Sequence, residues 1–355
     1  MKRFLTYCIF LMIVFTACED IYTPEVETVE SALVVDARIV PGNDNNYVKL
    51  TKTISFNEER FNYPEAGGAK VSVIDNQGNE YVLTETSDGI FPIKLQVNKE
   101  RLYKINISYD GEEYESSFEQ VPPIPDLDTV YGYPEEKVII ETGSNNVNDF
   151  RKKAGVQLYG DVTYEKELPY YRYTGRKIMQ YNYNVPVGEI EEVMYGWKSY
   201  TSQDVFNIAS PPEYSGSTDI LKHPLWFLEE KVALDSGLFF SGWILILYQH
   251  GLSKTGYDYY KDLNNQLESE GRLFDPLYVQ ARGNIVCKSN KNKLVLGNFE
   301  ISTITEHRVF VRYYGPNYGY YIKPIPYFYD IPWSGEQLGV RPDFWEYENR
   351  PYPNE

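Results

Sequence analysis

The stretch that decides the fold class runs from residue 103 to residue 118 and reads YKINISYDGEEYESSF. Every second residue from Tyr103 to Tyr109 is apolar or aromatic, and this period of two is typical of a half-buried β-strand. Asp110-Gly111 follows at once, and an Asp-Gly pair between two alternating runs is a strong signal for a tight hairpin turn. The stretch therefore predicts two antiparallel strands joined by a two-residue turn.

The same pattern continues towards the N-terminus. Residues 33–40 and 47–56 alternate in the same way, and residues 70–84 contain two short runs around the loop Asp75–Asn79. About seven short strands within ~100 residues are typical of a β-sandwich. We therefore expect an immunoglobulin-like or transthyretin-like β-sandwich over residues 31–121.

We expect a proline-rich linker, residues 122–128, to follow this first domain. Because proline fixes φ and removes a hydrogen-bond donor, this segment should be extended. Residues 129–355 are then expected to form a larger β-rich C-terminal domain. Its apolar run at residues 242–248 predicts a strand that is buried on both faces. The fold class is therefore mainly β, and one main helix is expected in the second domain.

That helix is predicted at about residues 254–270. Ser253 or Thr255 can cap its N-terminus. Tyr260, Leu263 and Leu267 fall on one stripe at helical spacing, so we expect this stripe to be buried.

The composition excludes several functions. Lys and Arg number 34 against 51 Asp and Glu, which gives a formal charge of −17. A chain this acidic is unsuited to binding nucleic acid through a general basic surface. Tyrosine, a residue that favours strands, occurs 34 times and agrees with the mainly β reading.

The N-terminus has the pattern of an exported lipoprotein. Lys2-Arg3 precedes the apolar run Phe4–Phe15, which is shorter than the ~20 residues that a membrane-spanning helix needs. Residues 1–17 are therefore expected to be a signal peptide. The sequence Phe15–Cys18 resembles the lipobox of bacterial lipoproteins, which makes Cys18 the expected lipidation site and residues 18–30 a lipidated tether.

Two further features fit export. Glu19 and Asp20, directly after the cysteine, resemble the surface-export signal of lipoproteins from the phylum Bacteroidota. Asp128-Thr129-Val130 resembles the acceptor of the O-glycosylation system of the same phylum, so Thr129 is a candidate glycosylation site. Cys287 lies between apolar residues and is expected to be a small buried strand residue.

The sequence contains none of the familiar catalytic or cofactor-binding motifs. His223, His250 and His307 are far apart and lack metal-ligand spacing, so we expect structural or surface roles for them and no metal site. No P-loop, dinucleotide fingerprint or nucleophile elbow is present. We therefore expect no cofactor and no enzymatic activity, although two carboxylates placed across a pocket would leave no sequence signature.

Aromatic residues near the C-terminus offer a different kind of site. Tyrosine and tryptophan combine a large contact area with a polar group, and they are enriched at interfaces. The expected partner contacts are Tyr318, Tyr320, Tyr321, Trp333 and Trp345. Cross-strand aromatic pairing within a sheet is the alternative for each single tyrosine.

Together these features resemble the Bacteroidota outer-membrane lipoproteins grouped as domain of unknown function 4249. The resemblance extends from residue 33 to about residue 314. It is most specific in four segments, Tyr259–Leu263, Gly271–Pro276, Gly283–Ile285 and Leu296–Phe299. It implies pairing with a TonB-dependent receptor of the carboxypeptidase-regulatory-domain type. The family offers no catalytic residues to transfer to this chain.

The expected function is that of a non-enzymatic protein, lipid-anchored in the outer membrane and facing the cell exterior. It would assist a TonB-dependent transporter in substrate capture or gating, with a small molecule, peptide or glycan as ligand. A surface hydrolase of glycan or peptide and a structural adhesin of the envelope are the alternatives.

Overall fold

The computed structural model describes residues 31–54, 63–142, 148–163, 170–201, 207–211, 219–230, 237–268, 281, 283–315, 317, 319–324 and 336–339. The fold within these residues is mainly β, with one helix, α1 (Lys254–Glu268). The strands are, in chain order, β1 (Leu33–Ile39), β2 (Tyr47–Lys52), β3 (Lys70–Asp75), β4 (Glu80–Val82), β5 (Ile90–Pro92), β6 (Leu102–Tyr109), β7 (Glu112–Ser116), β8 (Glu119–Gln120), β9 (Thr129–Thr142), β10 (Asn148–Val162), β11 (Tyr171–Val187), β12 (Ile190–Thr201), β13 (Ile208–Ala209), β14 (Ile220–Glu229), β15 (Leu238–Gly251), β16 (Ile285–Cys287), β17 (Val295–Ile301), β18 (Thr303–Tyr313), β19 (Tyr320–Pro324) and β20 (Glu336–Gly339).

These strands form four sheets. Sheet I has the order β17-β1-β2-β5, and sheet II has the order β16-β7-β6-β3-β4 with β8 beside β6. Sheet III has the order β14-β10-β9, and sheet IV has the order β19-β18-β15-β11-β12-β20 with β13 beside β11. We call sheets I and II the first unit, and sheets III and IV, together with Ser253 and helix α1 that follow β15, the second unit.

The predicted hairpins of the first unit are present. β6 and β7 pair antiparallel across Asp110 and Gly111, whose φ angles of 54° and 77° suit a two-residue turn. The loop between β3 and β4 is closed by Asp75, whose carboxylate accepts hydrogen bonds from the backbone of Gln77 and Asn79. The alternating sequence therefore folds locally as its pattern indicates.

Sheets I and II share one hydrophobic core. Val35 and Leu50 of sheet I and Ile105 and Ile107 of sheet II belong to the same buried cluster. The two sheets therefore pack face to face as layers. The assignment of this unit to an immunoglobulin-like or transthyretin-like class stays a prediction.

Two strands of the first unit come from much later in the chain. β17 pairs in parallel with β1 over the whole length of both strands, from Leu33 opposite Val295 to Ile39 opposite Ile301. β16 pairs with β7 and places Cys287 opposite Tyr114. The sequence-based division placed these late residues in the 129–355 domain, so the structure corrects that boundary. Local patterns carry no information about a pairing between segments this far apart.

Close backbone contact explains two glycines of the late segment. A Cβ atom built on Gly283 would lie 1.5 Å from the carbonyl oxygen of Gly297. A Cβ atom on Gly297, where φ is +95°, would lie 1.9 Å from the carbonyl oxygen of Val35. The backbone at these two glycines therefore approaches its neighbours more closely than any side chain permits.

The second unit is built on the long strand β15. Trp243, Leu245 and Leu247 on one face join the core between sheets III and IV. Ile244 and Ile246 on the other face join a separate cluster with Ile178, Trp197 and Phe310. The prediction of a strand buried on both faces is confirmed.

Helix α1 begins directly after Ser253, one of the two predicted N-cap residues. The Ser253 hydroxyl accepts a hydrogen bond from the backbone N–H of Gly256 at 3.1 Å, which is the bond that an N-cap residue makes. Leu267, expected on the buried stripe, is 52% exposed, so the predicted stripe is wrong at this position.

The proline-rich linker is held against the second unit. Thr303 donates a hydrogen bond from its hydroxyl to the carbonyl oxygen of Pro123, and Thr305 donates one to that of Pro125, both at 2.6 Å. Val121 is buried in the core of the first unit and Leu127 in that of the second. These contacts fix the path of the linker between the two units.

Candidate functional site

A cavity of about 500 Å³ lies in the second unit, where sheet III meets β11, β13 and β15. Its described lining consists of Lys137, Gln157, Tyr173, Thr174, Asn207, Ile208, His223, Pro224, Leu225, Trp226, Phe227 and Leu247. The volume falls within the range of small-molecule sites, and the mixture of aromatic walls with a few polar groups is typical of them. We therefore treat this cavity as the candidate site.

His223 of β14 is the histidine of the lining and is partly buried. Its ring stacks on Tyr173 at a centroid distance of 5.2 Å, and its Nε2 atom lies 2.6 Å from Oδ1 of Asn207. Burial lowers the pKa of His223 to about 4, because a charged imidazole would lose its hydration there. The imidazole is therefore neutral at physiological pH and can donate or accept a hydrogen bond.

Asn207 holds this part of the cavity together. Its side-chain amide donates to the carbonyl oxygens of Pro224 at 3.1 Å and Leu225 at 3.0 Å, and its backbone carbonyl accepts from the N–H of Tyr173 at 2.7 Å. One residue thus connects β14 with β11 beside the ring of His223. This arrangement fixes the imidazole before any ligand enters.

A second polar chain runs from the cavity into the core. The amide of Gln249 donates to the hydroxyl of Tyr173 at 3.3 Å, and its carbonyl oxygen lies 3.2 Å from Nε2 of His307. Burial raises the pKa of Tyr173, which keeps its hydroxyl protonated. Burial also lowers the pKa of His307, although the carboxylates of Asp126 and Glu306 oppose this change. Two histidines distant in sequence are therefore connected through a tyrosine and a glutamine.

Lys137 carries the positive charge of the cavity. Its ammonium group donates a hydrogen bond to Oε1 of Gln157 and lies 5.2 Å from the ring centroid of Phe227. Among the lining residues that the structure describes, none is an aspartate or a glutamate. The cavity thus offers one cation, neutral amides and aromatic walls, which suits the binding of a polar small molecule better than carboxylate-driven hydrolysis.

A buried polar junction fastens the two units together. Glu119 is 3% exposed and accepts hydrogen bonds from Ser117 at 2.9 Å, from Asn284 at 2.9 Å and from the helix-capping Ser253 at 2.7 Å. A buried carboxylate is stable only when such donors replace its hydration. The junction is therefore built from specific bonds.

A second part of the junction contains a buried ion pair. The guanidinium of Arg172 lies 3.9 Å from the Glu300 carboxylate and 4.3 Å from the ring centroid of Tyr260. The Tyr260 hydroxyl donates to the same carboxylate at 2.8 Å. Burial, together with the positive charges of Arg172 and Arg38, holds the pKa of His250 well below its ordinary value. His250 is therefore a neutral, structural residue of this interface.

The residues predicted from sequence lie elsewhere. Thr129 is exposed and begins β9, opposite Asp161 of β10. Tyr320 packs against the core of the second unit, and Tyr321 against the cluster on the other face of sheet IV. Both tyrosines are partly buried, and a partner-contact role for them stays a prediction. The remaining predicted residues, Cys18, Glu19, Asp20, Tyr318, Trp333 and Trp345, lie outside the described residues.

Sequence reasoning missed the cavity because its lining comes from six strands. His223 and His307 are far apart in the sequence and lack metal-ligand spacing, and Asn207 and Gln249 belong to no motif. Predicting that the lining residues meet would require knowledge of the register between β10 and β14. The expectation that Cys287 is a small buried residue is confirmed, since it is 2% exposed in the core of the first unit.

The described part of the chain contains no group of three or more histidine, cysteine, aspartate or glutamate residues placed to hold a metal ion. Within the same residues, no helix is long and apolar enough to cross a membrane.

Comparison with known proteins gives one match. A search of curated proteins and a search of solved structures found none. The profile of a family described as Domain of unknown function (DUF4249) matches residues 19–308. This range includes the cavity, the junction and the late strands β16 and β17, and it ends before Tyr318. Because the match covers well over half of its length, the chain belongs to the family of domain of unknown function 4249.

Proposed function

We propose that this protein is a non-enzymatic lipoprotein of the outer-membrane surface that captures a substrate for a TonB-dependent transporter or gates its entry. The observation that carries the proposal is the cavity of about 500 Å³ around His223 and Lys137. Its polar groups are already fixed by bonds within the protein. A fixed, mostly neutral cavity is suited to holding a molecule without transforming it.

The proposed location rests on the N-terminal sequence. A short apolar run that ends at Cys18, followed by Glu19 and Asp20, has the order of a lipoprotein signal with a surface-export sequence. Two or more acyl chains on Cys18 would bury enough methylene groups for stable anchoring. The first unit would then separate the cavity from the bilayer.

Copurification tests the partnership. The chain, tagged at its C-terminus, is expressed in its native host, extracted in mild detergent, captured, and analysed by mass spectrometry. The proposal predicts one TonB-dependent barrel in stoichiometric amount. The Cys18→Ala variant serves as the matched control, because it lacks the acylated thiol and should recover little barrel. Recovery of the wild-type lipoprotein alone would contradict the partnership.

The two alternatives make different predictions. A surface glycoside hydrolase needs two carboxylates at ~5–9.5 Å across a cleft, and the described lining of the cavity supplies none. A structural adhesin predicts normal uptake and lost attachment when the gene is deleted. Attachment and uptake measured on the same deletion strain therefore separate the adhesin from the accessory protein.

A further inference from the structure

Three tyrosines form a cluster on the surface of sheet III, which we call the tyrosine platform: Tyr131, Tyr133 and Tyr159. Tyr131 stands opposite Tyr159 in the register of β9 and β10, and their rings stack at 6.0 Å with an interplanar angle of 27°. Tyr133, two residues further along β9, lies on the same face and contacts both rings, at 5.7 Å and 5.9 Å. The three rings therefore form one continuous aromatic surface.

Hydrogen bonds hold two of these rings in place. The Tyr131 hydroxyl donates to Asp161 at 3.0 Å, and the Tyr159 hydroxyl donates to Glu135. Burial and the bond to Asp161 raise the pKa of Tyr131 to about 12, so its hydroxyl keeps its proton. Rings that are already ordered lose little entropy when a ligand stacks on them.

Lys222 completes the surface. Its ammonium group lies 5.3 Å from the ring centroids of both Tyr133 and Tyr159. Its backbone has φ of +54°, which is unusual for a residue other than glycine, and its N–H donates to Asp161 at 2.6 Å. One carboxylate thus positions both a tyrosine ring and the lysine above the platform.

Cross-strand pairing accounts for Tyr131 and Tyr159 but leaves Tyr133 unexplained. Tyr133 keeps 51% of its surface in water. Its ring lies beside the ammonium group of Lys222 and beside the two rings whose hydroxyls are bonded to Asp161 and Glu135. Protein–protein interface cores are depleted in charged residues, whereas hydroxyl-rich ligands need such acceptors and donors around an apolar surface. The chemistry favours a sugar ring, whose C–H face stacks on the exposed part of the Tyr133 ring while its hydroxyls bond to Glu135, Asp161 and Lys222.

The platform also adjoins the cavity. The strand register places Tyr133 opposite Gln157 and Tyr159 opposite Pro224, and both Gln157 and Pro224 line the cavity. A chain of sugars could therefore stack one ring on the platform and place the next units in the cavity. The carboxylates of Glu135 and Asp161, together with the protein's formal charge of −17, disfavour an acidic oligosaccharide as the ligand.

We propose that the tyrosine platform binds one ring of a neutral oligosaccharide whose chain continues into the cavity. Because it names the class of substrate to be captured, this inference rests on the proposed function. It is nevertheless tested by binding alone, without the transporter.

The test is isothermal titration of the purified full chain with neutral cellohexaose, xylohexaose, mannohexaose and maltohexaose, and with anionic hexagalacturonic acid. At least one neutral hexasaccharide should bind, and the acidic one should bind much more weakly. Tyr133→Ala should weaken binding about tenfold or more, whereas Tyr133→Phe, which keeps the ring, should stay within about twofold. Phe150→Ala, which removes a 67% exposed aromatic side chain from β10, is the matched control and should leave binding unchanged.

Three results would overturn the inference: no binding of any neutral probe, equal binding of the acidic probe, or equal losses in Tyr133→Ala and Phe150→Ala. If Tyr133→Ala reduced recovery of the barrel while no sugar bound, the platform would be a protein contact and the inference would be wrong. Sugar binding that depends on Tyr133, with no barrel copurified, would support this site and contradict the transporter partnership.

Discussion

The hydroxyl of Ser253 donates a hydrogen bond to the carboxylate of Glu119 at 2.7 Å, although 134 residues separate the two along the chain. Ser253 also caps helix α1 with the same hydroxyl oxygen. One side chain of the second unit thus starts a helix and holds a buried carboxylate of the first. The two units of this protein are therefore coupled through specific polar bonds.

This bond makes Glu119 important for stability. Replacing it by glutamine puts an amide N–H₂ where one carboxylate oxygen now accepts hydrogen bonds, so a buried donor would face another donor. Glu119→Gln should lower the free energy of unfolding by ~1–3 kcal/mol, measured by urea denaturation. Glu113→Gln, which neutralises an exposed glutamate on β7, should change it by less than ~0.5 kcal/mol. Equal effects of the two substitutions would contradict the role of the junction.

The late strand β17 should control the stability of the N-terminal strands. Phe299 is fully buried in the core of the first unit, so Phe299→Ala should cost ~3–5 kcal/mol. Hydrogen exchange followed by mass spectrometry should show faster exchange at β1, which pairs with β17. Leu294→Ala, at a position that is 43% exposed just before the strand, is the control. If residues 33–39 exchanged their amide hydrogens at the same rate in Phe299→Ala as in the wild type, the pairing of β1 with β17 would be contradicted.

The backbone of Gly297 leaves no room for a side chain at Gly283. Gly283→Ala would place a Cβ atom against the backbone of Gly297, and backbone atoms cannot move aside as side chains do. We expect a loss of more than ~2 kcal/mol in the free energy of unfolding. Gly256→Ala in helix α1 is the matched control, since the nearest atom would lie 3.5 Å away and alanine favours helices. A harmless Gly283→Ala would refute the close approach.

His223 should make the protein sensitive to acid. Its pKa of about 4 in the folded state is below that of an exposed histidine, so the unfolded chain binds the proton first as the pH falls. The stability contributed by His223 is therefore fully present above about pH 6.5 and is lost between about pH 6.5 and 4. Between about pH 7 and 5 the loss should be ~2 kcal/mol.

The His223→Gln variant removes this titration. Glutamine keeps a polar group near Asn207 but cannot take up a proton. The difference between the unfolding free energies at the two pH values should shrink by roughly the amount that His223 contributes, whatever the substitution does to stability at neutral pH. Unchanged pH dependence in the variant would mean that the imidazole is not buried as described.

Local structure could be predicted well from this sequence. Asp110-Gly111 and the Asp75–Asn79 loop form the expected hairpin turns, and Ser253 caps the helix. In each case the side chains that determine the conformation lie within a few residues of the structure they form. The same holds for β15, where continuous apolar residues require two buried faces.

Pairing between distant segments could not be predicted. Nothing in residues 295–301 indicates that they lie beside β1, because parallel pairing depends on the whole fold between them. The same limit applies to the sites. The tyrosines of the platform and the residues around His223 meet only through the register of sheet III. The predicted aromatic contacts follow the density of aromatic residues along the chain, and the described ones, Tyr320 and Tyr321, are partly buried against the two clusters of the second unit.

Uptake by living cells tests the central claim, substrate capture for transport, most directly. Cells with the wild-type gene, without it, or with Ile208→Trp, which fills the cavity, are grown in one complex medium, and the solutes left behind are compared by mass spectrometry. Val187→Trp, at an exposed position on β11, controls for the added side chain. We predict that one class of solute stays in the medium of the deletion and Ile208→Trp strains but is consumed by the other two. Equal consumption of every solute by all four strains would contradict the account.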